Sequence, residues 1–182
     1  MKNRILPKHM GMIAVGSGLV ATSIYLLMIN ITLAHIKAVS GYDPFDMRPI
    51  GYSPAEAATL LEALGVEGRA YYLSHQIALD TLYPAMLGLT LIATICWFGQ
   101  RLPNSKLVRF GIAFSVVSAL FDYLENLGIV AMILSWPQLS DLLVYATSTA
   151  TIAKSVSTTA AVLLMLLVGF CWARQSKADL YP

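Results

Sequence analysis

Long apolar runs alternate along the chain with shorter polar and charged connections. Residues 11–36 contain no formal charge, and residues 70–100 contain one, Asp80. Residues 110–134 contain two, Asp122 and Glu125, and residues 142–173 contain one, Lys154. Apolar runs of roughly 18 or more residues read as membrane helices, because a helix rises ~1.5 Å per residue across a hydrocarbon core of ~30 Å. The pattern predicts an all-α chain, an integral membrane four-helix bundle forming a single membrane domain over residues 1–182. The first run follows a basic start and ends near Ala38-Val39-Ser40, which gives it the outline of a signal peptide. Its apolar stretch far exceeds the ~7–15 residues of a signal core, so an uncleaved first helix is expected.

Lysine and arginine are unevenly shared between the connections. Lys2, Arg4, Lys8, Arg101, Lys106, Arg109, Arg174 and Lys177 fall on one side of the predicted spans, and Lys37, Arg48 and Arg69 on the other. The second side instead carries Asp43, Asp46, Glu56, Glu62, Glu67 and Asp141. Basic residues mark the cytoplasmic side, so both termini are expected to be cytoplasmic. Trp97 and Trp172 at the inner ends, and Tyr71, Tyr72 and Trp136 near the outer ends, suit interfacial aromatic positions. A multi-pass protein of a bacterial inner membrane is the expected setting.

The one long connection, residues 37–69, lies on the outer side in this reading. Ser53-Pro54-Ala55-Glu56 spells a capping box with proline at the first helical position, and Gly65 supplies a stop after Leu64. Ala57, Ala58, Leu60, Leu61 and Leu64 share one face, which predicts a short amphipathic helix over 54–64, lying on the membrane surface or capping the bundle. The preceding stretch, with Pro44 and Pro49 between Gly41 and Gly51, is turn-rich loop. Short loops around Pro103-Asn104 and Trp136-Pro137 make the later helices antiparallel neighbours.

Composition sharpens this picture by exclusion. The 182 residues are 57% hydrophobic and 12% charged, where soluble domains carry roughly a quarter charged residues. A net charge of +2 is too small for a nucleic-acid partner. Two distant cysteines, Cys96 and Cys171, give neither a disulfide scaffold nor a cysteine-rich metal site. His35 and His75 come near the outer ends of the first two spans, but no ligand spacing accompanies them, so no metal and no cofactor is expected.

Ionisable groups inside a span cost roughly 2.5–3.5 kcal/mol each on insertion scales, which makes them functional candidates by default. Counted at ~1.5 Å per residue, Asp122 lies about 20 Å above Arg109, with Glu125, Asp80, Lys154 and Asn30 higher still. On the third span Ser115, Ser118, Asp122 and Glu125 fall on one helical face, with Asn126 beside them. Thr147, Thr151, Lys154 and Thr158 do the same on the fourth span, and Tyr72, Gln76, Asp80 and Tyr83 on the second. These stripes predict a ligand-binding layer of Asp80, Tyr83, Asp122, Glu125, Asn126, Lys154 and Asn30. Lys154 can neutralise only one acid at a time, with Asp80 or Glu125 as the expected partner; alternatively it snorkels to the interface. At least one carboxyl is left over as a proton-handling or cation-binding group. Pro84 withdraws a backbone donor from the carbonyl near Asp80 and predicts a kink there.

Asp80-x-x-Tyr83-Pro84 and Asp122-x-x-Glu125-Asn126, between about Gly68 and Leu134, resemble a pattern in small bacterial four-helix integral membrane proteins, which implies the fold but no reaction. A looser likeness, by topology and an acid-lined membrane cavity, is to the emopamil-binding-protein group of sterol isomerases and sterol-binding proteins. Three functions fit. The first is a membrane protein binding or transporting a cation, proton or small amphipathic ligand in an outer-facing acidic pocket. The second is an acid/base enzyme on a lipid or isoprenoid, with Asp122 or Glu125 as catalytic group. The third is a non-catalytic accessory subunit. Membrane lipids, and a homo-oligomer or larger membrane complex, are the expected partners.

Overall fold

Helices account for nearly all of the computed structural model, which describes residues 9–102 and 105–178, with side chains as far as Arg174. Lys2, Arg4, Lys8, the Pro103-Asn104 turn and the Lys177 side chain lie outside the described residues. Helix α1 runs over Met10–Ser40. Helical hydrogen bonding is almost unbroken over Pro54–Gly99, yet Gly65 sits at φ 61° and ψ −171°, a conformation that side chains with a Cβ rarely adopt. That residue divides the stretch into a short helix α2 (54–64) and a long helix α3 (66–99). Helix α4 is Lys106–Ser135 and α5 is Asp141–Ala178. Among the described residues, four helices are long and apolar enough to cross a membrane: α1, α3, α4 and α5.

The long helices run antiparallel to their sequence neighbours, and small residues set how closely they approach. Ser17 on α1 accepts a hydrogen bond from Thr90 on α3 at 2.9 Å, and a methyl group on Gly18 would reach Thr90 at 3.3 Å. Gly88 of α3 faces Ala119 of α4, while Gly111 of α4 lies against Ile95 of α3 and Leu164 of α5. The most extensive contact is α4 with α5, followed by α1 with α3; α3 touches all three other long helices. Such small-residue seams bring helices together where lipid removes the hydrophobic drive for association. The outward faces carry exposed Leu19, Leu120, Leu127, Leu163 and Leu166, as a lipid-facing surface requires.

One end of the bundle is closed by its own chain. Ser53 accepts from the Glu56 amide at 3.3 Å, and the Glu56 carboxylate accepts from the Ser53 amide at 2.8 Å, which starts α2 after the loop. Ala57, Leu60, Leu61 and Leu64 are buried against Ile36, Tyr72, Ile129, Met132, Ile133 and Val144 from all four long helices. Arg69 ends α2 by donating to the Leu61 carbonyl at 2.7 Å, and its guanidinium lies 5.7 Å over the Trp136 ring. Ahead of α2 a short 3₁₀ turn, Phe45–Met47, buries Phe45 beneath the cap. The loop is pinned where the Tyr52 amide donates to Ser148 Oγ at 2.8 Å. Lys37 and Asp43 pair at 2.6 Å on its outer face, and that pairing holds the Asp43 carboxyl below the usual carboxylate range. Ser53 does the same for Glu56 by hydrogen bonding.

Candidate functional site

Polar side chains from three long helices and one loop converge just beneath this cap. Asp80 is 2% exposed, Asp122 4%, Glu125 0% and Asn126 5%, so the acids expected to face the interior do face it. Lys154 is half-buried beside them, not snorkelling: its side chain is 15% exposed. Its ammonium contacts Asp122 Oδ1 at 3.2 Å and forms an ion pair with Glu125 Oε2. Thr151, one turn before Lys154, donates to Glu125 Oε1 at 2.8 Å. The resulting clasp ties α4 to α5. Asp80, expected as one possible partner of Lys154, is not ion-paired with it.

The helix face that carries Asp80 instead meets a carboxyl from outside the spans. Asp46, on the 3₁₀ turn, accepts from Tyr72 Oη and, through Oδ1, from Gln76 Nε2 at 3.3 Å. Tyr72, Gln76 and Asp80 follow one another by one turn on α3, so the side chains holding Asp46 lie on the Asp80 face. Gln76 in turn accepts from Thr32 Oγ1 on α1. Thr32 and Gln76 both belong to π-helical turns, Met28–Thr32 and Tyr72–Gln76. A π turn rotates the following residues relative to a regular helix, and such turns recur at functional sites.

The proline of the first motif and the asparagine of the second meet here. Pro84 has no N–H to give the carbonyl four residues earlier, that of Asp80. Asn126 Nδ2 donates to this carbonyl at 2.9 Å. An α3 backbone acceptor that would lie unsatisfied in an apolar interior is thus met by an α4 side chain, joining the two helices. With its NH₂ so engaged, the Asn126 Oδ1 atom is buried without a hydrogen-bond partner, as is Asp80 Oδ2.

Two expected members stand apart. Asn30 is solvent- or lipid-exposed on α1 and donates to the Leu26 carbonyl of its own helix at 2.9 Å. Depth alone placed it in the layer; its helical phase points it away, because the buried face of α1 is Ser17, Ala21, Ile24, Met28 and Thr32. Tyr83 is half-buried against α1, stacked on Tyr25 with ring centroids 5.9 Å apart, and packs beside Ile24, Met28 and Leu33. His35 and His75 flank Tyr71, at 4.1 and 4.3 Å between ring centroids, on an outer edge of the bundle. Among the described residues no three of His, Cys, Asp or Glu are grouped as a metal centre.

The arrangement therefore places four carboxyls, Asp46, Asp80, Asp122 and Glu125, beneath one cap with one ammonium, Lys154, which contacts Asp122 and Glu125. Carboxylates brought together in a low-dielectric interior are strongly unfavourable unless positive charge joins them. Fold and site together define the class: a multi-pass helical membrane protein with a buried acid centre beneath a self-made cap. No protein-family model, curated protein or solved structure matches the chain.

Proposed function

We propose that this chain binds, and in an oligomer transports, a positively charged ligand, a proton or small cation, at the acid centre. In this reading it sits in a bacterial inner membrane with both termini cytoplasmic, so the capped end faces outward. The observation that carries the reading is the charge imbalance: four converging carboxyls and a single lysine that contacts only Asp122 and Glu125. Buried charges persist when paired, hydrogen-bonded or neutralised. A deficit of positive charge just beneath the cap, toward the outward ends of three helices, suits a site that is filled from outside.

The test is reconstitution of wild type and Glu125→Gln into proteoliposomes carrying pH- and cation-sensitive dyes, with helicity and size checked first. Wild type takes up or passes charge, and a folded Glu125→Gln protein does not. Equal uptake by the two proteins refutes the proposal. The Lys154 clasp favours one second reading, an accessory subunit whose charged layer specifies helix pairing. That reading requires Glu125→Gln to melt or dissociate instead of losing uptake.

A further inference from the structure

The acids on the spans are closed off from water: Asp80, Asp122 and Glu125 are at most 4% exposed. A charged ligand reaches them only after some element moves. We propose that residues 42–50 form a strap that swings about Gly41 and Gly51, and that lifting Asp46 and Phe45 off α3 opens the capped end of the acid centre. The inference rests on the reading above, that the centre takes up positive charge, and assigns that uptake its entrance.

Three features set this segment apart. First, it is bounded by two glycines in the left-handed region, Gly41 at φ 75° and Gly51 at φ 86°. Glycine adopts such conformations without the penalty that other residues meet, and hinges are the few loop residues that absorb a large backbone rotation. Second, the segment is tied chiefly to itself. The Arg48 guanidinium donates to the Asp43 carbonyl at 2.8 and 2.9 Å, the Met47 amide to the Pro44 carbonyl at 3.1 Å, and the Arg48 amide to the Phe45 carbonyl at 3.1 Å. A compact loop bonded across its own ends can move as one piece. Third, one flank is unpacked. A surface hollow of about 670 Å³ is lined by Met47, Pro49 and Ile50 of the strap and by Ala55, Glu56 and Thr59 of α2, among others.

What holds the strap down is local and lies over the site. Apart from Tyr42 with Ser40 across the first hinge, its hydrogen bonds and ion pairs to the bundle among the described residues are few. They are the Lys37–Asp43 pair and the two bonds that the Asp46 carboxylate accepts, from Tyr72 and Gln76. The ion pair is exposed at both ends, where solvent screens it. The Asp46 bonds are the latch, because both donors are fully buried. Tyr72 and Gln76 lie two turns and one turn from Asp80 on the same face of α3. Phe45, also fully buried, packs beside Tyr72 and Tyr52 at 6.1 and 4.7 Å between ring centroids. It shares its apolar cluster with Ile129, one turn from Glu125 on α4. The strap thus covers α3 and α4 on the cap side of their acids.

Access is read by thiol chemistry on the full chain in mild detergent, with Cys96→Ser and Cys171→Ser as background. Thr151→Cys puts a thiol beside Glu125 at a fully buried position, and the probe is a cationic, membrane-impermeant methanethiosulfonate. Measurable modification of the folded Thr151→Cys protein is expected. Asp46→Ala, which removes the latch, speeds it by at least ~10-fold, the scale of a lost hydrogen bond to a charged group. Ser115→Cys, equally buried but about three turns further from the cap on α4, stays unmodified with or without Asp46→Ala and guards against general loosening. If Thr151→Cys fails to fold, the buried Thr147→Cys, one turn nearer the strap, replaces it. An unreactive thiol in the folded reporter overturns the proposal. So does a rate that Asp46→Ala leaves unchanged, or one that rises equally at Ser115→Cys. The thiol readout needs no transported ligand. Strap opening without Glu125-dependent uptake in proteoliposomes removes the broader reading and leaves the strap standing; uptake without strap opening removes the strap alone.

Discussion

Substituting alanine for Gly128 tests whether the acid centre depends on the close approach of α4 and α5. A methyl group at Gly128 would lie 2.1 Å from Thr147 Oγ1, 2.6 Å from its Cγ2 and 2.8 Å from its Cβ. All three are under the 3.0 Å that real Cβ contacts essentially never breach, so something must shift. Thr147 has little freedom to give way. It is 3% exposed, and its hydroxyl donates to the Leu143 carbonyl at 2.8 Å. Relief therefore comes from separating the helices one turn from both Glu125 and Thr151. Two effects of opposite sign compete. Replacing glycine by alanine in a helix gains about 1 kcal/mol, whereas overpacking costs about 1–3 kcal/mol and more where the backbone must move. With three contacts violated together the second effect wins, for a net loss of about 1–2 kcal/mol.

Thermal unfolding in detergent of wild type, Gly128→Ala, Thr147→Ala and the double variant measures this. Thr147→Ala alone gives up one hydroxyl bond within its own helix and changes stability little. In the double variant the two worst contacts vanish and only the one at 2.8 Å remains, relieved by a shift of a few tenths of an ångström. Most of the Gly128→Ala deficit is then recovered, as a coupling of about 1 kcal/mol or more between neighbouring sites. A Gly128→Ala protein at least as stable as wild type refutes the reasoning, as does strict additivity in the double variant.

Two further outcomes follow from the charges. Lys154→Met removes the only cation among the described residues in contact with Asp122 and Glu125, and loss of one partner from a buried ion pair costs about 3–5 kcal/mol. Adding Glu125→Gln and Asp122→Asn to that variant restores most of its melting temperature, and a Lys154→Met protein that melts with wild type contradicts the clasp. At the capped end, Asp43 and Glu56 titrate below the usual carboxylate range because of Lys37 and Ser53 respectively. A depressed carboxyl contributes stability above its unfolded value and loses it as pH falls through its folded value. Acidification through the carboxylate range therefore loosens the loop and the start of α2. Ser53→Ala moves the Glu56 part of that transition to higher pH; hydrogen exchange at the amides of residues 54–57, followed against pH, reads it, and an unmoved transition refutes the capping argument.

Depth, phase and loop placement were not equally legible in the sequence. Four long apolar helices follow from hydropathy because lipid imposes length and composition together. Burial of Asp122, Glu125, Asn126 and Asp80 follows from helical periodicity, since each shares a face with other polar residues of its helix. Asn30 shows why height along a helix is insufficient: the small and apolar stripe Ala14, Ser17, Ala21, Ile24 and Met28 defines the buried face of α1, and Asn30 falls off it. The π turns that shift phase at Met28–Thr32 and Tyr72–Gln76 have no local sequence signal, because the extra residue per turn is a response to tertiary contact.

Asp46 was hidden for a different reason. A carboxylate among turn residues is ordinarily a solvated group, so nothing near it in sequence marks it as part of the centre. The available clue lay on the opposite partner. Tyr72 and Gln76 extend the polar stripe of α3 beyond Asp80 toward the loop, and buried Oη–H and amide donors demand an acceptor there. None of the acids within the spans lies far enough toward the cap to serve. The same accounting joins the two motifs. Pro84 creates a buried carbonyl that needs a donor, and Asn126, beside Glu125 on the inward face of α4, is the side chain that can give one without adding charge. Unsatisfied donors and acceptors, traced one by one along each inward stripe, therefore indicate which segments must meet even where hydropathy and spacing are silent.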